Sequence, residues 1–336
     1  MRFRIPLYVR RTWTRATAAL TSALMLVAAG CASTTAPSAP PVAPAAQASP
    51  AAGTTAHVFG NVPVRFRYDA KEAYLVNNHT GTVLYELNSN DRIQPGSLAK
   101  LMTFYIALNA LRAKQVSLDS KAIIGPDVGI VAKNQTLSRM YLKVGQTVSL
   151  EDLLYGMMVH SGCDAALAIA DVLSGDSRTF VAKMNSEAAR LGMTNTNFTE
   201  PNGIPEPGEY TTAHDMAVLA QAVIREHPEA TKYTSQHYFK FNGVRQQNTN
   251  GLLFLDTRVA GLKTGHVQAA GFHVVAFAST ANDEFICAVM GAPSDFRRTN
   301  DGELLLDWAF SNFGTASHQR DAALSTDAST TPGRAE

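Results

Sequence analysis

The stretch "PGSLAKLMTFYIALNALRA", residues 95–113, decides how the rest of the chain is read. From Leu98 to Leu111 it is apolar nearly all round, which marks a helix buried inside a core rather than one lying on a surface. Pro95-Gly96 marks its start. Two polar residues nevertheless stand at its first turn. Ser97 and Lys100 are three apart and share a helix face. A serine hydroxyl is a weak nucleophile that needs a base, and a lysine serves when burial or a nearby positive charge lowers its pKa. Free backbone N–H groups at a helix start also favour developing negative charge. S-x-x-K alone is a weak pattern, but here it occurs once and opens the most apolar helix of the chain. The bland alternative, a capping serine and a surface lysine, would strand Lys100 on an apolar cylinder.

Outward from this helix, hydrophobic patterning lays out one domain. "EAYLVNNHTGTVLYELN" (72–88) reads as two strands around a turn. "SLEDLLYGMMVHSG" (149–162), "FVAKMNSEAARLG" (180–192) and "TTAHDMAVLAQAVIREHP" (211–228) read as helices, the first and third opened by capping boxes at Ser149/Asp152 and Thr212/Asp215. Asp215 therefore caps, and His214 belongs to the surface. "VAGLKTG", "GFHVVAFAST" and "FICAVMGA" are strand-like, and "GELLLDWAFSNF" (302–313) closes the domain as a helix. Strands at both ends with helices between predict an α/β (α+β) domain whose sheet draws on both ends of the sequence.

The 336 residues are 46% apolar and 17% charged, as in an ordinary globular protein, and the net charge of +1 gives no reason to expect nucleic acid as a partner. Neither C-x-x-C nor H-E-x-x-H occurs, so no metal site is expected. Five arginines within residues 2–15 followed by "ATAALTSALMLVAAG" read as a secretory signal over residues 1–31. It ends in "LVAAGC", similar to a lipobox, although Ala28 stands where that pattern prefers Leu. Lipidation of Cys31 is the expectation, with simple cleavage near Ala32 as the alternative. Residues 32–61 are expected to be an Ala/Pro-rich disordered spacer, residues 62–314 the folded domain, and residues 315–336 a disordered tail. If Cys31 carries lipid, Cys163 and Cys287 remain as a pair whose bridging the sequence leaves open.

Two further stretches carry chemistry. "GLKTGH" (261–266) puts a cation, a hydroxyl and a glycine on one strand, the glycine allowing close approach by a ligand backbone. By itself it would read as a strand end with a turn. "HSGCDAA" (160–166) sets His160, Ser161 and Cys163 together. In order, Ser-x-x-Lys, Ser-Gly-x and Lys-Thr-Gly resemble the motifs of the penicilloyl-serine enzymes. With "QQNTNGLL", "AAGF" and "AVMGAPS", the chain from about 62 to 314 is similar to the low-molecular-mass penicillin-binding proteins that act as serine-type D-alanyl-D-alanine carboxypeptidases.

The resemblance implies a β-lactamase/DD-peptidase-like fold, an antiparallel sheet flanked by helices with a helical subdomain. It implies Ser97 as the acylated nucleophile, Lys100 as its base and Ser161 as the proton relay to departing D-alanine. Lys263 and Thr264 would hold the substrate's terminal carboxylate, Lys263 also lowering the pKa of Lys100. Gly265 and His266 would also belong to the substrate-binding residues, with the backbone N–H groups of Ser97 and His266 forming the oxyanion hole. Arg298 would add charge for the carboxylate, although Arg297 stands beside it. No cofactor is implied. The expected partners are the D-Ala-D-Ala end of peptidoglycan pentapeptides and β-lactams as inhibitors, and the expected location is the periplasmic side of a bacterial envelope, with membrane contact only through lipid on Cys31.

Cys163 departs from the family pattern, which carries Asn there, and the chain is too short for the family's β-rich C-terminal domain and amphipathic helix. Three other readings compete. A cysteine hydrolase would use Cys163 with His160. A β-lactamase would need a deacylating carboxylate, for which Glu200 in "TEPNG" has the wrong spacing. A binding module without turnover would follow if the Cys163 thiol failed to do the work of Asn.

Overall fold

The computed structural model describes residues 56–315. The signal, Cys31, the spacer up to residue 55 and the tail from residue 316 lie outside the described residues. In chain order the strands are β1 (His57–Val58), β2 (Glu72–Asn77) and β3 (Val83–Leu87), followed by helix α1 (Lys100–Arg112). A helical region interrupted by two small two-stranded sheets comes next: β4 (Lys121–Ile123), α2 (Pro126–Lys133), β5 (Thr147–Ser149), α3 (Leu150–Val159), α4 (Cys163–Ser174), α5 (Ser177–Leu191), α6 (Ala213–Glu226), α7 (Thr231–Thr234), β6 (Tyr238–Phe241) and β7 (Val244–Gln247), with β4 paired to β5 and β6 to β7. The chain ends in three long strands and a helix: β8 (Val259–Val267), β9 (Gly271–Ser279), β10 (Glu284–Ala292) and α8 (Asp295–Phe313).

Six of these strands form one antiparallel sheet in the order β1-β3-β2-β10-β9-β8, which draws on both ends of the sequence as the strand patterns predict. Its central strands are apolar without a break because both faces are covered, and successive side chains serve opposite cores. In β10, Ile286, Ala288 and Met290 enter the core shared with the helical region, whereas Cys287 and Val289 enter a second core closed by Leu305, Leu306 and Trp308 of α8. The same alternation in β2 divides Tyr74 and Val76 from Ala73 and Leu75.

Helix α1 is buried from Lys100 to Leu108, in agreement with its apolar circumference. At both predicted capping boxes the N-cap bond forms: Ser149 Oγ accepts from the Asp152 N–H and Thr212 Oγ1 from the Asp215 N–H. Residues 57–61, expected in the spacer, do not all belong there, because His57 and Val58 pair with Glu86 and Tyr85 as an edge strand. Composition misses this because two residues carry no period; β3 supplies the free backbone groups and Val58 packs on the α8 core. Cys163 and Cys287 are both free. Cys287 is committed to the α8 core and Cys163 to the start of α4, so the open possibility of a bridge is not realised.

Helix α4 is the element the sequence hides. Its N-cap is Gly162 without a side-chain cap, and its Ala-rich run lacks the caps that announce α3 and α6. Between α3 and α4 the chain turns sharply through Ser161, whose φ of 62° is uncommon for a residue with a Cβ and costs on the order of 1 kcal/mol. Two backbone bonds hold the turn: Gly162 N–H to Gly156 O at 3.0 Å and Cys163 N–H to Ser138 O at 2.8 Å.

Candidate active site

Three backbones converge on Ser97. It lies in the 3-10 turn Gly96–Ala99 that feeds directly into α1. Strand β8 passes so close to this turn that a Cβ on Gly265 would stand 2.6 Å from the Pro95 carbonyl oxygen and 3.2 Å from the Leu98 nitrogen. The glycine of Lys-Thr-Gly thus makes room for the serine's own turn, and not for a ligand backbone as expected from sequence. From the other side a Cβ on Gly203 would fall 1.9 Å from the Gly96 carbonyl oxygen. Neither glycine tolerates a side chain without moving the turn that carries Ser97.

Lys100 is fully buried, and its Nζ reaches Ser97 Oγ at 2.7 Å, Cys163 Sγ at 3.3 Å and the Asn202 carbonyl at 2.5 Å. A second lysine–serine pair faces it. Lys263 Nζ, also buried, donates to Ser161 Oγ at 2.9 Å and to the Thr264 carbonyl at 3.0 Å. Burial, then the charges of Lys100 and Arg298, hold the Lys263 ammonium well below the ordinary lysine range. Three basic side chains thus crowd one low-dielectric region, where an anion would find a favourable field. The cleft above, about 330 Å³, is lined by Ser97, Ser161, Cys163, Thr264, Gly265, His266 and Arg298 among others. All the site residues expected within the described chain therefore meet at one place, seven at the wall and the two lysines beneath it.

Arg298, not Arg297, lines the cleft. Arg298 is buried, and its guanidinium donates to the carbonyls of Thr249, Gly265 and His273. Arg297 is exposed and pairs with Asp69 at 3.0 Å. His160 does not line the cleft with Cys163, and its Nδ1 lies 3.1 Å from the Gln247 carbonyl oxygen, so the pairing a cysteine hydrolase would need is not seen. The His266 ring stacks on Phe272 with centroids 4.0 Å apart, forming one side of the mouth.

Sequence reasoning missed three participants. Thr249 Oγ1 lies 2.7 Å from Thr264 Oγ1, adding a second hydroxyl to the cleft wall beside Thr264; the quoted "QQNTNGLL" contained it without pointing to it. Asn202 contributes only its backbone carbonyl, which no side-chain pattern announces. Asp164, fully buried, accepts from the Met140, Leu142 and Ala165 N–H groups and so ties the 138–142 loop to α4 behind Cys163. An acid directly after Ser-Gly-Cys, at a helix start, was the available signal.

Glu200 is half-buried and does not line the cleft. The neighbouring Glu209 is buried, and burial pushes its carboxyl up to about 8 from 4.5; Glu200 adds to the rise, while a Thr199 backbone contact and Lys100 oppose it. Between those two values the folded protein keeps a proton that the unfolded chain has released, so this group makes stability fall as pH rises from about 4.5 to about 8. Glu209→Gln removes that slope. In urea unfolding the variant is expected to match the wild type near pH 5 and to exceed it by roughly 2–4 kcal/mol at pH 8. Equal pH slopes in the two proteins would refute a neutral Glu209.

A larger cleft, about 560 Å³, opens among Arg112 of α1, Lys183 and Arg190 of α5 and Glu226 of α6. Its cations are engaged, Lys183 with the Leu173 carbonyl, Arg190 with Glu187 and Arg112 with Glu226, so the reactive pairing lies only at the smaller cleft. Among the described residues no group of acidic, His or Cys side chains could hold a metal ion, and no helix is long and apolar enough to cross a membrane.

Comparison with known proteins agrees with this geometry. The profile of the family described as D-alanyl-D-alanine carboxypeptidase matches residues 60–294. The D-alanyl-D-alanine carboxypeptidase DacC of Escherichia coli K12 is 39% identical over 251 residues, covering 74% of this chain and 62% of DacC. The chain thus spans less than two thirds of that relative's length. The crystal structure of penicillin-binding protein 5 from Haemophilus influenzae superposes with a TM-score of 0.72 at 37% identity, covering 75% of this chain and 73% of that one. Penicillin-binding protein D2 of Listeria monocytogenes, solved in an ampicillin-bound form, superposes with a TM-score of 0.66 at 29% identity, covering 73% of this chain and 98% of its own.

Proposed function

Because the chain belongs to the D-alanyl-D-alanine carboxypeptidase family, we propose that it removes the terminal D-alanine from peptidoglycan stem peptides through a Ser97 acyl-enzyme. The observation that carries this reading is the pair of buried lysines, each within 3 Å of a serine hydroxyl facing one cleft. In this scheme the substrate's terminal carboxylate lies against Thr249, Thr264 and Arg298. Lys100 accepts the Ser97 proton as Oγ attacks the penultimate carbonyl, and the N–H groups of Ser97 and His266 receive the oxyanion. Ser161, polarised by Lys263, passes its proton to the departing amine and is reprotonated by the proton Lys100 took from Ser97, which restores Lys100 as a base. Water then hydrolyses the ester, with Lys100 again taking the proton. A β-lactam follows the same first step, but its leaving nitrogen stays tethered, so the acyl-enzyme persists.

Cys163 contacts Lys100 from the position where Asn is usual. The thiol is a weak acceptor, and the difference from an amide is worth about 0.5–1.5 kcal/mol, which slows turnover without abolishing it. This favours an enzyme over a binding module. The exported location, the signal over residues 1–31, lipid on Cys31 and the spacer that follows belong to the same proposal: a domain held off a membrane on the periplasmic side, with no cofactor.

Mass spectrometry of the penicillin-labelled protein tests the reading. One penicilloyl group on the peptide containing Ser97 is the expected result. A label on Cys163, or none, sinks it.

A further inference from the structure

Arg298 has five N–H donors, and four of them have partners. Nη1 donates to the carbonyls of Gly265 at 3.2 Å and His273 at 3.3 Å; Nη2 donates to the Thr249 carbonyl at 2.9 Å and meets Asp295 Oδ1 at 2.6 Å. The fifth, on Nε, is sealed from solvent and meets no acceptor. The three carbonyls are fixed parts of the fold. The Asp295 carboxylate is not: its side chain is 67% exposed, and both residues line the cleft. A carboxylate entering to bind Arg298 therefore finds one directed donor that can be released, and Asp295 already occupies it.

We propose that Asp295 is an internal competitor for the substrate, a side-chain carboxylate resting where the terminal carboxylate of the peptide must bind. This deepens the carboxypeptidase reading and rests on it. Arg298 does not need Asp295 to stay in place, because three backbone acceptors already orient the guanidinium and burial removes its freedom. What Asp295 does is offset the charge of the clamp and withhold its outward donor until a ligand carboxylate displaces it. Binding of every carboxylate-ended ligand carries that displacement, and a ligand without a carboxylate escapes it. Asp295 thus sets how strongly the site depends on ligand charge.

The test uses Asp295→Asn and Asp295→Ala with two readouts. The first is kcat and KM for D-alanine release from a D-Ala-D-Ala-terminated peptide. The second is the rate of acylation by benzylpenicillin against its methyl ester. In both variants KM is expected to fall about two- to fivefold, the range for freeing a donor from an exposed ion pair, with kcat changed by less than about twofold. Acylation by benzylpenicillin accelerates by the same factor and acylation by the ester is unmoved. Asp295 also favours the start of α8, but losing that role lowers Tm and does not lower KM. If the wild type is acylated at Ser97 and both variants show an unchanged or raised KM, the assignment of Asp295 fails alone. Equal acceleration with acid and ester overturns it as well. A wild type that penicillin does not acylate overturns both this and the reading beneath it.

Discussion

Ser97→Ala is expected to abolish penicillin labelling and to lower D-alanine release by about 10⁴- to 10⁶-fold, the usual result of removing a nucleophile that works with a base. The substitution removes one oxygen at the wall of the cleft. Lys100 keeps its contacts with Cys163 and the Asn202 carbonyl, so no buried cation is left bare. Stability should accordingly change by only about 1 kcal/mol, one hydrogen bond's worth. Three measurements on one preparation separate the outcomes: a thermal melt, a D-alanine assay and intact-mass analysis after penicillin. An unlabelled, inactive, folded variant is the expected combination. A folded Ser97→Ala protein that still forms an adduct, lost only on Cys163→Ala, would transfer the chemistry to the thiol.

Lys263→Met is expected to move activity and stability in opposite directions. In the proposed cycle Lys263 polarises Ser161 and supplies positive field at the carboxylate end, so kcat/KM should fall about 10²- to 10³-fold. Yet the lysine is a burden to the fold. Burial, Lys100 and Arg298 disfavour its charge, so the folded protein gives up this proton more readily than the unfolded chain. At neutral pH that difference opposes folding. It shrinks as pH rises toward 10.5, where the unfolded lysine also loses its proton. Met fills similar length without charge. The variant should therefore melt above the wild type at pH 7, by a margin that narrows by pH 10. A variant that is inactive and also less stable at pH 7 would mean that Lys263 holds the structure together instead of being tolerated for function.

Much of this site was readable before any coordinates. Lys100 in an otherwise apolar helix conflicts with burial unless something uses it, and the conflict pointed to the Ser97–Lys100 pair. The capping boxes at Ser149 and Thr212 and the alternating cores of β10 follow from local rules, and those elements stand where sequence puts them. What stayed hidden depends on distant chain. The carbonyl of Asn202 on Lys100, the Thr249–Thr264 contact and the packing of Gly265 on Pro95 are encounters between segments, two of them through backbone atoms that every residue owns. Helix α4 lacked a side-chain cap. Arg297 and Arg298 are identical in type, and only their places on α8 tell the buried clamp from the exposed partner of Asp69.

The pairing of β2 with β10 has a consequence for how the molecule comes into being. It joins residues 72–77 to residues 284–292, so a chain appearing from its N-terminus carries the β2–β3 hairpin with an open edge until residues 78–283 have followed. Closing so long a loop is entropically costly, and topologies of this kind fold slowly. During that interval the bare edge is a template for wrong partners, and a holding factor that covers it would raise the yield. The same delay bears on the proposed chemistry. Ser97 and Lys100 are present early, but Lys263, Gly265 and Arg298 all come late in the chain. In the proposed cycle Ser97 would therefore become reactive only in the final act of assembly.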